Sequence, residues 1–231
     1  MRSIAIITAR GGSKRIPRKN IRSFLGKPII KYSIEAAVNS YCFDEVMVST
    51  DDNEIAEIAI KSGAKVPFMR SKETSNDTAS TVEVLLEVLK NYKSLGIEFD
   101  YCCCIYPTAP FINKDKLIVA HKKLISSNCK SLVPVVRFGF PILRSFKIEN
   151  GLVKMNWPEH MNSHSQSLPI SYHDCGQFYI FKIKNFLVDK KLFSDSTIPF
   201  EIPESEVQDI DNEEDWKVAE IKYKLLFNKV K

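Results

Sequence analysis

The stretch SIAIITARGGSKRIPRKN, residues 3–20, decides the fold because it joins a short apolar run to a cationic glycine loop. Residues 3–8 have the length and composition of a strand that is buried on both faces. Residues 10–20 hold five lysines or arginines and no acid. Gly11 and Gly12 allow positive φ angles and a close backbone approach, so we expect consecutive backbone N–H groups to form an anion-binding nest. A solvated basic turn is the alternative.

Apolar strands and amphipathic helices alternate along the chain up to about residue 137. This alternation predicts an α/β fold with a mostly parallel, Rossmann-like sheet flanked by helices. Right-handed crossovers would bring the strand-to-helix loops to one edge of the sheet, where ligands of such sheets bind. The predicted strands are 3–8, 44–50, 101–106, 131–136 and 177–183, and the predicted helices are 28–40, 53–64, 81–95, 114–127 and 213–230.

Residues 138–157 interrupt the alternation. There, Asn150 and Gly151 separate two runs of alternating polarity, which is a hairpin signal. We expect an inserted β-ribbon that serves as a dimer arm or a lid. The length of 231 residues suits one sizeable core, so we expect a single domain spanning residues 1–231.

Composition excludes several classes of protein. No apolar run reaches the roughly 18 residues of a membrane span, and the N-terminus lacks the pattern of a signal peptide. A net charge of +5 is modest for a nucleic-acid binder, so small anionic ligands fit better. The six cysteines, with Cys102–Cys104 in one run, show no zinc-site spacing and are interpreted as free thiols of a cytoplasmic protein.

The loop at residues 10–20 is the first candidate site, because it follows the first strand and therefore lies at the ligand edge. It matches neither the P-loop nor the GxGxxG motif. Arg10, Lys14 and Lys19 supply charge for phosphate oxygens, and Ser13 supplies a hydrogen-bond donor. Asp51 and Asp52 follow a second strand at the same edge, and Asp52 either faces the ligand or caps the next helix.

An acidic pair near the end of the chain is the second candidate site. If residues 207–211 are extended, Asp209 and Asp211 face one side while Ile210 faces the core. Paired carboxylates beside a triphosphate suit Mg²⁺, which takes oxygen ligands and keeps water and phosphate in its shell. Helix capping is the alternative for Asp211, because Glu214 follows three residues later.

Five stretches together resemble the CMP-sugar-acid synthetases, also called the acylneuraminate cytidylyltransferase family. They are ARGGSKRIPRKN (9–20), VSTDD (48–52), RSKETSNDTAST (70–81), YPTAP (106–110) and QDIDNEEDW (208–216). Three more resemble the branch of that family that acts on pseudaminic acid: FPILR (140–144), NWPEH (156–160) and LPISYHDCGQFY (168–179).

The chain departs from this family at three places. Cys175 stands where relatives usually carry alanine, and Tyr106 stands where sialic acid synthetases carry glutamine. Relatives also carry an arginine in the stretch that here reads SHSQS (163–167). His164 replaces that cation only in its charged state, which a free histidine mostly loses above pH ~6.5.

The resemblance implies that CTP and a nonulosonic acid, pseudaminic acid in the first place, react to give a CMP-nonulosonate and pyrophosphate. It implies a cytoplasmic homodimer that uses Mg²⁺ or another divalent cation and serves bacterial surface glycans such as those of flagellin. The open alternatives are a synthetase for legionaminic, sialic or deoxyoctulosonic acid, a glycosyltransferase with a DxD pair, and a non-catalytic nucleotide-binding module.

The resemblance also implies roles for individual residues. The catalytic residues would be Arg10, Lys14, Lys19, Asp209 and Asp211, with both aspartates as metal ligands. The nucleotide-binding residues would be Ala9, Arg10, Gly11, Gly12, Ser13, Lys14, Asn20, Arg70 and Thr81. The substrate-binding residues would be Arg144, Gln166, Tyr172, His173, Gln177, Phe178 and Tyr179. The alternatives are a surface arginine for Arg70, a helix cap for Thr81, and a hydrogen-bonded structural histidine for His173.

Overall fold

The computed structural model describes residues 1–227, which form a central sheet, two separate two-stranded sheets (one in residues 23–28 and the ribbon in residues 146–155) and seven α-helices. The strands are β1 (Ser3–Thr8), β2 (Ser23–Phe24), β3 (Lys27–Pro28), β4 (Glu45–Ser49), β5 (Tyr101–Ile105), β6 (Ser131–Arg137), β7 (Phe146–Glu149), β8 (Leu152–Met155), β9 (Tyr172–Asp174), β10 (Phe178–Lys182) and β11 (Thr197–Glu201). The α-helices are α1 (Ile30–Ser40), α2 (Asn53–Lys61), α3 (Lys72–Ser75), α4 (Thr81–Ser94), α5 (Lys114–Ile125), α6 (Ile183–Asp189) and α7 (Glu213–Phe227). Short 3₁₀ helices lie at Lys19–Ile21, Ile142–Arg144, Pro158–His160, Ser165–Ser167 and Glu204–Glu206.

The central sheet has seven strands in the order β4–β1–β5–β10–β6–β11, with β9 paired to β6. β1 is parallel to β4 and β5, and β6 is parallel to β11, whereas β10 is antiparallel to both of its neighbours. Only β9 and β10 therefore run against the common direction, and the predicted mostly parallel sheet is confirmed. Because β1, β4 and β5 share one direction, the segments that follow them meet at one edge of the sheet.

The sheet separates two apolar layers, and the cysteine run shows how one strand serves both. Cys103 belongs to the layer covered by α1, α2 and α5, whereas Cys102 and Cys104 belong to the layer covered by α4 and α6. All six cysteines are free, as predicted. Burial raises the pKa of Cys104 to about 12. These thiols therefore behave as small apolar side chains in the core.

A third, smaller cluster fastens the first loop to the C-terminal helix. Ile16 from the loop, Ile210 from the segment before α7 and Trp216 from α7 pack in it together. Phe24 of β2 is fully buried in the same cluster, with its ring 5.6 Å from that of Trp216. This packing brings residues from near the two ends of the chain to the same side of the molecule.

The predicted hairpin is present. β7 and β8 form a two-stranded antiparallel sheet of their own, joined by Asn150 and Gly151 with φ angles of 53° and 77°. Positive φ at both central residues is what the Asn-Gly signal provides. Phe146, Ile148 and Val153 remain more than half exposed.

The strands and α-helices that carry no prediction from the sequence are β2, β3, β9, β11, α3 and α6. Pro199 lies inside β11, where it is tolerated because β11 is the edge strand of the sheet. The predicted last helix extends to residue 230, of which residues 228–230 lie outside the described part of the chain. Among residues 1–227, none of the helices combines the length and hydropathy that a membrane crossing requires.

Candidate active site

Two cationic side chains of the first loop share one acidic partner. Arg10 Nη1 donates to Asp77 Oδ1 and to the carbonyl of Asn76, each at 2.9 Å. Lys14 Nζ contacts the other carboxylate oxygen of Asp77. The hydrogen bond from Lys14 is the largest of the contacts that lower the pKa of Asp77. Because these side chains are exposed, the ion pairs are weak and another anion can replace the carboxylate.

The two glycines of the loop differ from the prediction, since neither adopts a positive φ. A glycine is needed at position 11 for another reason: the backbone there packs closely against the side chain of Asp52, and a Cβ would lie 2.8 Å from Asp52 Oδ2. A Cβ on Gly12 would meet nothing within 4 Å. The predicted nest is also incomplete, because Gly11 N donates to Asp51 Oδ1 at 2.9 Å and Ser13 N to Gly11 O at 3.0 Å.

Asp52 is the cap of α2, as the alternative for this residue stated. Its Oδ1 accepts a hydrogen bond from Ile55 N at 3.0 Å and another from Arg18 Nη2 at 3.0 Å. The hydrogen bonds from Arg18 are the main reason why the pKa of Asp52 is lowered. Asp52 thus anchors both the helix and the loop that packs over it at Gly11.

The far end of the first loop reaches the acidic pair. Lys19 Nζ donates to the carbonyl of Ile210 at 2.6 Å and lies 3.9 Å from Asp211 Oδ1. Arg15 Nη2 lies 2.8 Å from the same carboxylate oxygen. Burial lowers the pKa of Lys19, and the charges of Asp211 and Asp209 oppose that shift. The structure therefore places cations from near the start of the chain against carboxylates from near its end.

Asp209 and Asp211 flank a buried residue. Ile210 is 1% exposed, whereas both aspartates keep accessible surface, so the predicted alternation is confirmed. The pKa of Asp209 is raised, first because the surrounding protein removes part of its hydration and second because Asp211 is negatively charged. A cation held by both carboxylates would relieve this repulsion.

Capping does not explain Asp211. The cap of α7 is Asn212, whose Oδ1 accepts hydrogen bonds from Glu214 N at 2.9 Å and Asp215 N at 3.0 Å. Only the backbone N–H of Asp211 takes part, donating to Asp215 Oδ2 at 2.9 Å. In the described part of the chain, no three or more His, Cys, Asp or Glu side chains are grouped to hold a metal ion. The pair would supply two carboxylates, which suits Mg²⁺ completed by water and phosphate.

Arg70 is not a surface arginine and Thr81 is not a helix cap, which were the alternative roles for these two residues. Arg70 is buried rather than at the surface, and its Nε and Nη2 donate to Ser49 Oγ at 3.0 Å and Ser49 O at 2.6 Å. Burial lowers the pKa of Arg70 to about 10, so the side chain stays cationic at neutral pH. Ser80, not Thr81, caps α4 through a capping box. Thr81 Oγ1 instead lies 3.4 Å from the hydroxyl of Tyr106.

Two cavities open at this edge of the sheet and share Tyr106 as a common wall. The loop cavity has a volume of about 450 Å³ and the Asp209 cavity about 520 Å³, both typical of small-molecule sites. The predicted residues that line the loop cavity are Arg10, Ser13, Lys14, Lys19, Asn20, Arg70 and Thr81. Those that line the Asp209 cavity are His173, Tyr179 and Asp209.

The Asp209 cavity holds a fixed network around Asp174. Tyr179 Oη donates to Asp174 Oδ2 at 2.6 Å, and Gly176 N donates to Asp174 Oδ1 at 3.0 Å. The rings of Tyr179 and Tyr106 are 5.5 Å apart, and burial raises the pKa of both hydroxyls. His173 Nδ1 lies 2.9 Å from the carbonyl of Asp174. Neutral phenols and a fixed carboxylate can therefore bind hydroxyl and amide groups in this cavity.

Several predicted residues line neither cavity. Phe178 is fully buried and packs against Phe200 in the core, because neighbours on a strand face opposite sides and Tyr179 takes the cavity side. Gln177 is 2% exposed and donates to the carbonyl of Glu206 at 2.8 Å. The other predicted residues outside both linings are Ala9, Gly11, Gly12, Arg144, Gln166, Tyr172 and Asp211.

The reasons for these placements differ. Arg144 is exposed and its Nη1 donates to Ser165 Oγ at 3.1 Å, and Gln166 borders a separate surface cavity. Tyr172 points to Glu201, with 3.4 Å between its hydroxyl and Oε2. Arg144, Gln166 and Tyr172 therefore lie outside both cavities.

Sequence reasoning missed other residues of the site. Arg15 and Asp77 lie within stretches that carry the family resemblance, so their charges were visible but their partners were not. Asp174 and Lys222 also line the Asp209 cavity. Asp174 lies within the stretch 168–179 that carries the resemblance, whereas Lys222 lies in no such stretch. Lys222 lies on α7, whose basic composition predicts only a solvated face.

The sequence comparisons agree on one enzyme class, and the structural comparison agrees on the fold. The sequence model of the family described as "Cytidylyltransferase" matches residues 4–200. The chain is 46% identical over 226 residues, 97% of each protein, to the pseudaminic acid cytidylyltransferase of Campylobacter jejuni subsp. jejuni serotype O:2. It is 34% identical, over 95% of each protein, to the CMP-N,N'-diacetyllegionaminic acid synthase of Legionella pneumophila. Its fold matches a CMP:2-keto-3-deoxy-manno-octonic acid synthetase complexed with CTP at a TM-score of 0.69, with 17% identity, covering 96% of this chain and 98% of that one.

Proposed function

Because this chain belongs to the cytidylyltransferase family, we propose that it couples CTP to pseudaminic acid and releases pyrophosphate. In this reaction, the anomeric hydroxyl oxygen of the sugar acid forms a bond to the α-phosphorus. The bond from that phosphorus to the bridging oxygen of the β-phosphate breaks, and the hydroxyl proton is lost. The observation that carries the proposal is the meeting of the cationic loop and the acidic pair beside two cavities that share Tyr106.

The loop cavity is our proposed site for CTP. Arg10, Lys14 and Lys19 provide positive charge around it, and Arg70 adds a buried cation. Charge develops on the transferring phosphoryl group and on the departing pyrophosphate, so fixed cations lower the barrier without any covalent step on the protein. Triphosphate oxygens would take over the contacts that Asp77 makes with Arg10 and Lys14.

Asp209 and Asp211 are our proposed ligands for Mg²⁺. They offer two carboxylates that already repel each other, and Arg15 and Lys19 now neutralise Asp211. When bound, Mg²⁺ supplies charge stabilisation to the phosphate and lowers the pKa of an attacking hydroxyl. Asp209 and Asp211 would hold the ion through their carboxylate oxygens.

The Asp209 cavity is our proposed site for the sugar acid. Tyr179, held by Asp174, gives it an aromatic wall with a fixed polar end. Such a surface suits a ring that carries hydroxyl and acetamido groups. Tyr106 separates this cavity from the loop cavity, so a sugar hydroxyl near Tyr106 would face the α-phosphate.

We also propose a homodimer that forms through the ribbon β7–β8. Register places Phe146 opposite Met155 and Ile148 opposite Val153 on one face of the ribbon. The other face carries Glu149, which pairs with Lys147 at 2.7 Å and Lys154 at 2.8 Å. An isolated two-stranded ribbon is marginal in water, so its apolar face needs a partner surface. Free cysteines and a cytoplasmic substrate such as CTP support a cytoplasmic location.

A substrate panel tests the proposed function. The purified chain would be incubated with CTP, Mg²⁺ and, separately, pseudaminic, legionaminic, N-acetylneuraminic or deoxyoctulosonic acid. We expect pyrophosphate release and a CMP-sugar by mass spectrometry, with the highest kcat/KM for pseudaminic acid. A higher value for legionaminic acid, which the relative in Legionella supports as the second candidate, would reassign the substrate.

The same assay tests the metal assignment. Asp211→Asn removes one proposed ligand, so we expect kcat to fall at least about 100-fold at saturating CTP. Glu214→Gln is the matched control, because Glu214 is exposed on the next helical turn and uses only its backbone N–H. Full turnover by Asp211→Asn with an unchanged Mg²⁺ requirement would contradict the assignment.

A further inference from the structure

Lys222 lies in the Asp209 cavity, although it belongs to a helix whose composition indicates only a solvated face. It projects from α7 towards the turn before the acidic pair. Its Nζ donates to the carbonyl of Val207 at 2.8 Å and to that of Glu204 at 3.3 Å. An ammonium group has three N–H donors, so these contacts leave one for a ligand. The two carbonyls fix the position of the charge rather than leaving it on a mobile side chain.

The lining of the Asp209 cavity has more acidic than basic side chains, so the ammonium group of Lys222 bears on which ligands can enter. Three acids line the cavity, namely Asp174, Glu204 and Asp209. Among the described residues that line it, Lys222 is the one lysine or arginine. An anionic ligand entering such a cavity meets like charge unless a cation faces it. Arg144 and Gln166, the polar side chains expected nearby, lie outside the lining.

We propose that Lys222 binds the carboxylate of the sugar acid through its third N–H. This inference rests on the proposed function, since it requires a carboxylate substrate in the Asp209 cavity. The cation then selects an acid over a neutral sugar of the same size. Because Val207 and Glu204 precede Asp209, the same side chain also links the substrate to the segment that carries the acidic pair.

Steady-state kinetics of Lys222 variants test the proposal. Lys222→Gln keeps an N–H donor for the backbone carbonyls and removes the charge. We expect its KM for pseudaminic acid to rise about 30-fold or more, because one partner of a charge pair is lost. The KM for CTP and the Mg²⁺ dependence should stay within about twofold of wild type. Lys222→Arg should restore most of the affinity for the acid, and Lys224→Met, an exposed lysine on the same helix, should behave as wild type.

The possible outcomes distinguish a carboxylate-binding role for Lys222 from a purely structural one. An unchanged KM for the acid in Lys222→Gln overturns the inference while wild-type turnover upholds the proposed function. Equal losses for the acid, CTP and Mg²⁺ would show that Lys222 only holds the segment before Asp209, and would also overturn it. A wild-type enzyme that releases no pyrophosphate with any acid overturns the proposed function and this inference with it. Thermal unfolding of each variant shows whether it is folded. If Lys222→Gln is not, the proposal is tested by whether Lys222→Arg, which keeps the charge, retains the wild-type KM for the acid.

Discussion

At the scale of single residues, the site is held by ion pairs within the chain. Arg10 and Lys14 contact Asp77, while Arg15 and Lys19 contact Asp211. These cations and carboxylates all keep some contact with solvent, which screens the pairs and keeps them weak. A polyphosphate can therefore replace the carboxylate as the partner at little cost.

The two loop glycines provide a matched pair of variants. Gly11→Ala places a Cβ 2.8 Å from Asp52 Oδ2 and 3.0 Å from Asp52 Cβ, so the loop or the helix cap must shift. We expect its free energy of unfolding to fall by about 1–3 kcal/mol. Gly12→Ala adds a methyl group in open space and should change stability by less than about 0.5 kcal/mol. Urea unfolding measures both, and equal stability of the two variants would contradict the close approach.

At the scale of elements, side-chain caps fix the helices at the ligand edge. Asp52 caps α2 and Ser80 caps α4, while Asn212 caps α7. Each cap satisfies backbone N–H groups that a helix start leaves without partners. The caps also spare neighbouring side chains, since Ser80 leaves the Thr81 hydroxyl, and Asn212 the Asp211 carboxylate, for ligands.

The cap of α2 carries a pH-dependent contribution to stability. The pKa of Asp52 lies below its ordinary value of 3.8, mainly because Arg18 donates to it. The ionised carboxylate therefore stabilises the fold above the unfolded pKa, and this contribution is lost as pH falls through the lower folded pKa. Asp52→Asn keeps a good cap and removes the charge.

We expect Asp52→Asn to lower the free energy of unfolding by about 0.5–1 kcal/mol at pH 7. The difference from wild type should shrink below about pH 4, where Asp52 becomes protonated in the unfolded chain. Asp115→Asn, at an exposed acid in the first turn of α5, is the control and should show a smaller change at both pH values. A pH-independent difference for Asp52→Asn would contradict the ion pair with Arg18.

At the scale of the whole molecule, the ribbon leaves a row of apolar side chains uncovered within one chain. Its apolar face presents Phe146, Ile148 and Val153, each more than 60% exposed. By contrast, the strands β1, β5 and β10 of the central sheet bury their apolar side chains in the main clusters of the core. An exposed apolar face on a two-stranded element indicates an interaction surface.

The dimer proposal predicts different results for the two faces of the ribbon. Ile148→Glu puts a charge on the apolar face, so we expect the dimer to dissociate to monomer at micromolar concentration. Leu152→Glu changes an exposed residue that pairs with Glu149 on the polar face, and it should leave the dimer intact. Light scattering after gel filtration measures the mass of each. A monomeric wild type, or equal dissociation by both variants, would count against the ribbon as the interface.

Local pattern made much of the fold and the chemistry of the site predictable. The longer strands and helices up to residue 137 follow from hydrophobic periodicity, and the turn of the ribbon follows from Asn150 and Gly151. The facing of Asp209 and Asp211 follows from the two-residue repeat of an extended chain. The prediction for Phe178 was wrong for the same physical reason, because the alternation applies in β10 and only Tyr179 faces the cavity.

The sequence by itself determined the sheet, its ligand edge and the types of charge at that edge, because these depend on neighbours along the chain. Only the tertiary structure decided the partners: Asp52 under Gly11, Asp77 on Arg10, Asp211 beside Lys19 and Lys222 inside the Asp209 cavity. Contacts between residues far apart in the chain depend on how helices and loops pack, and packing is set by the shape of the whole core rather than by any local pattern.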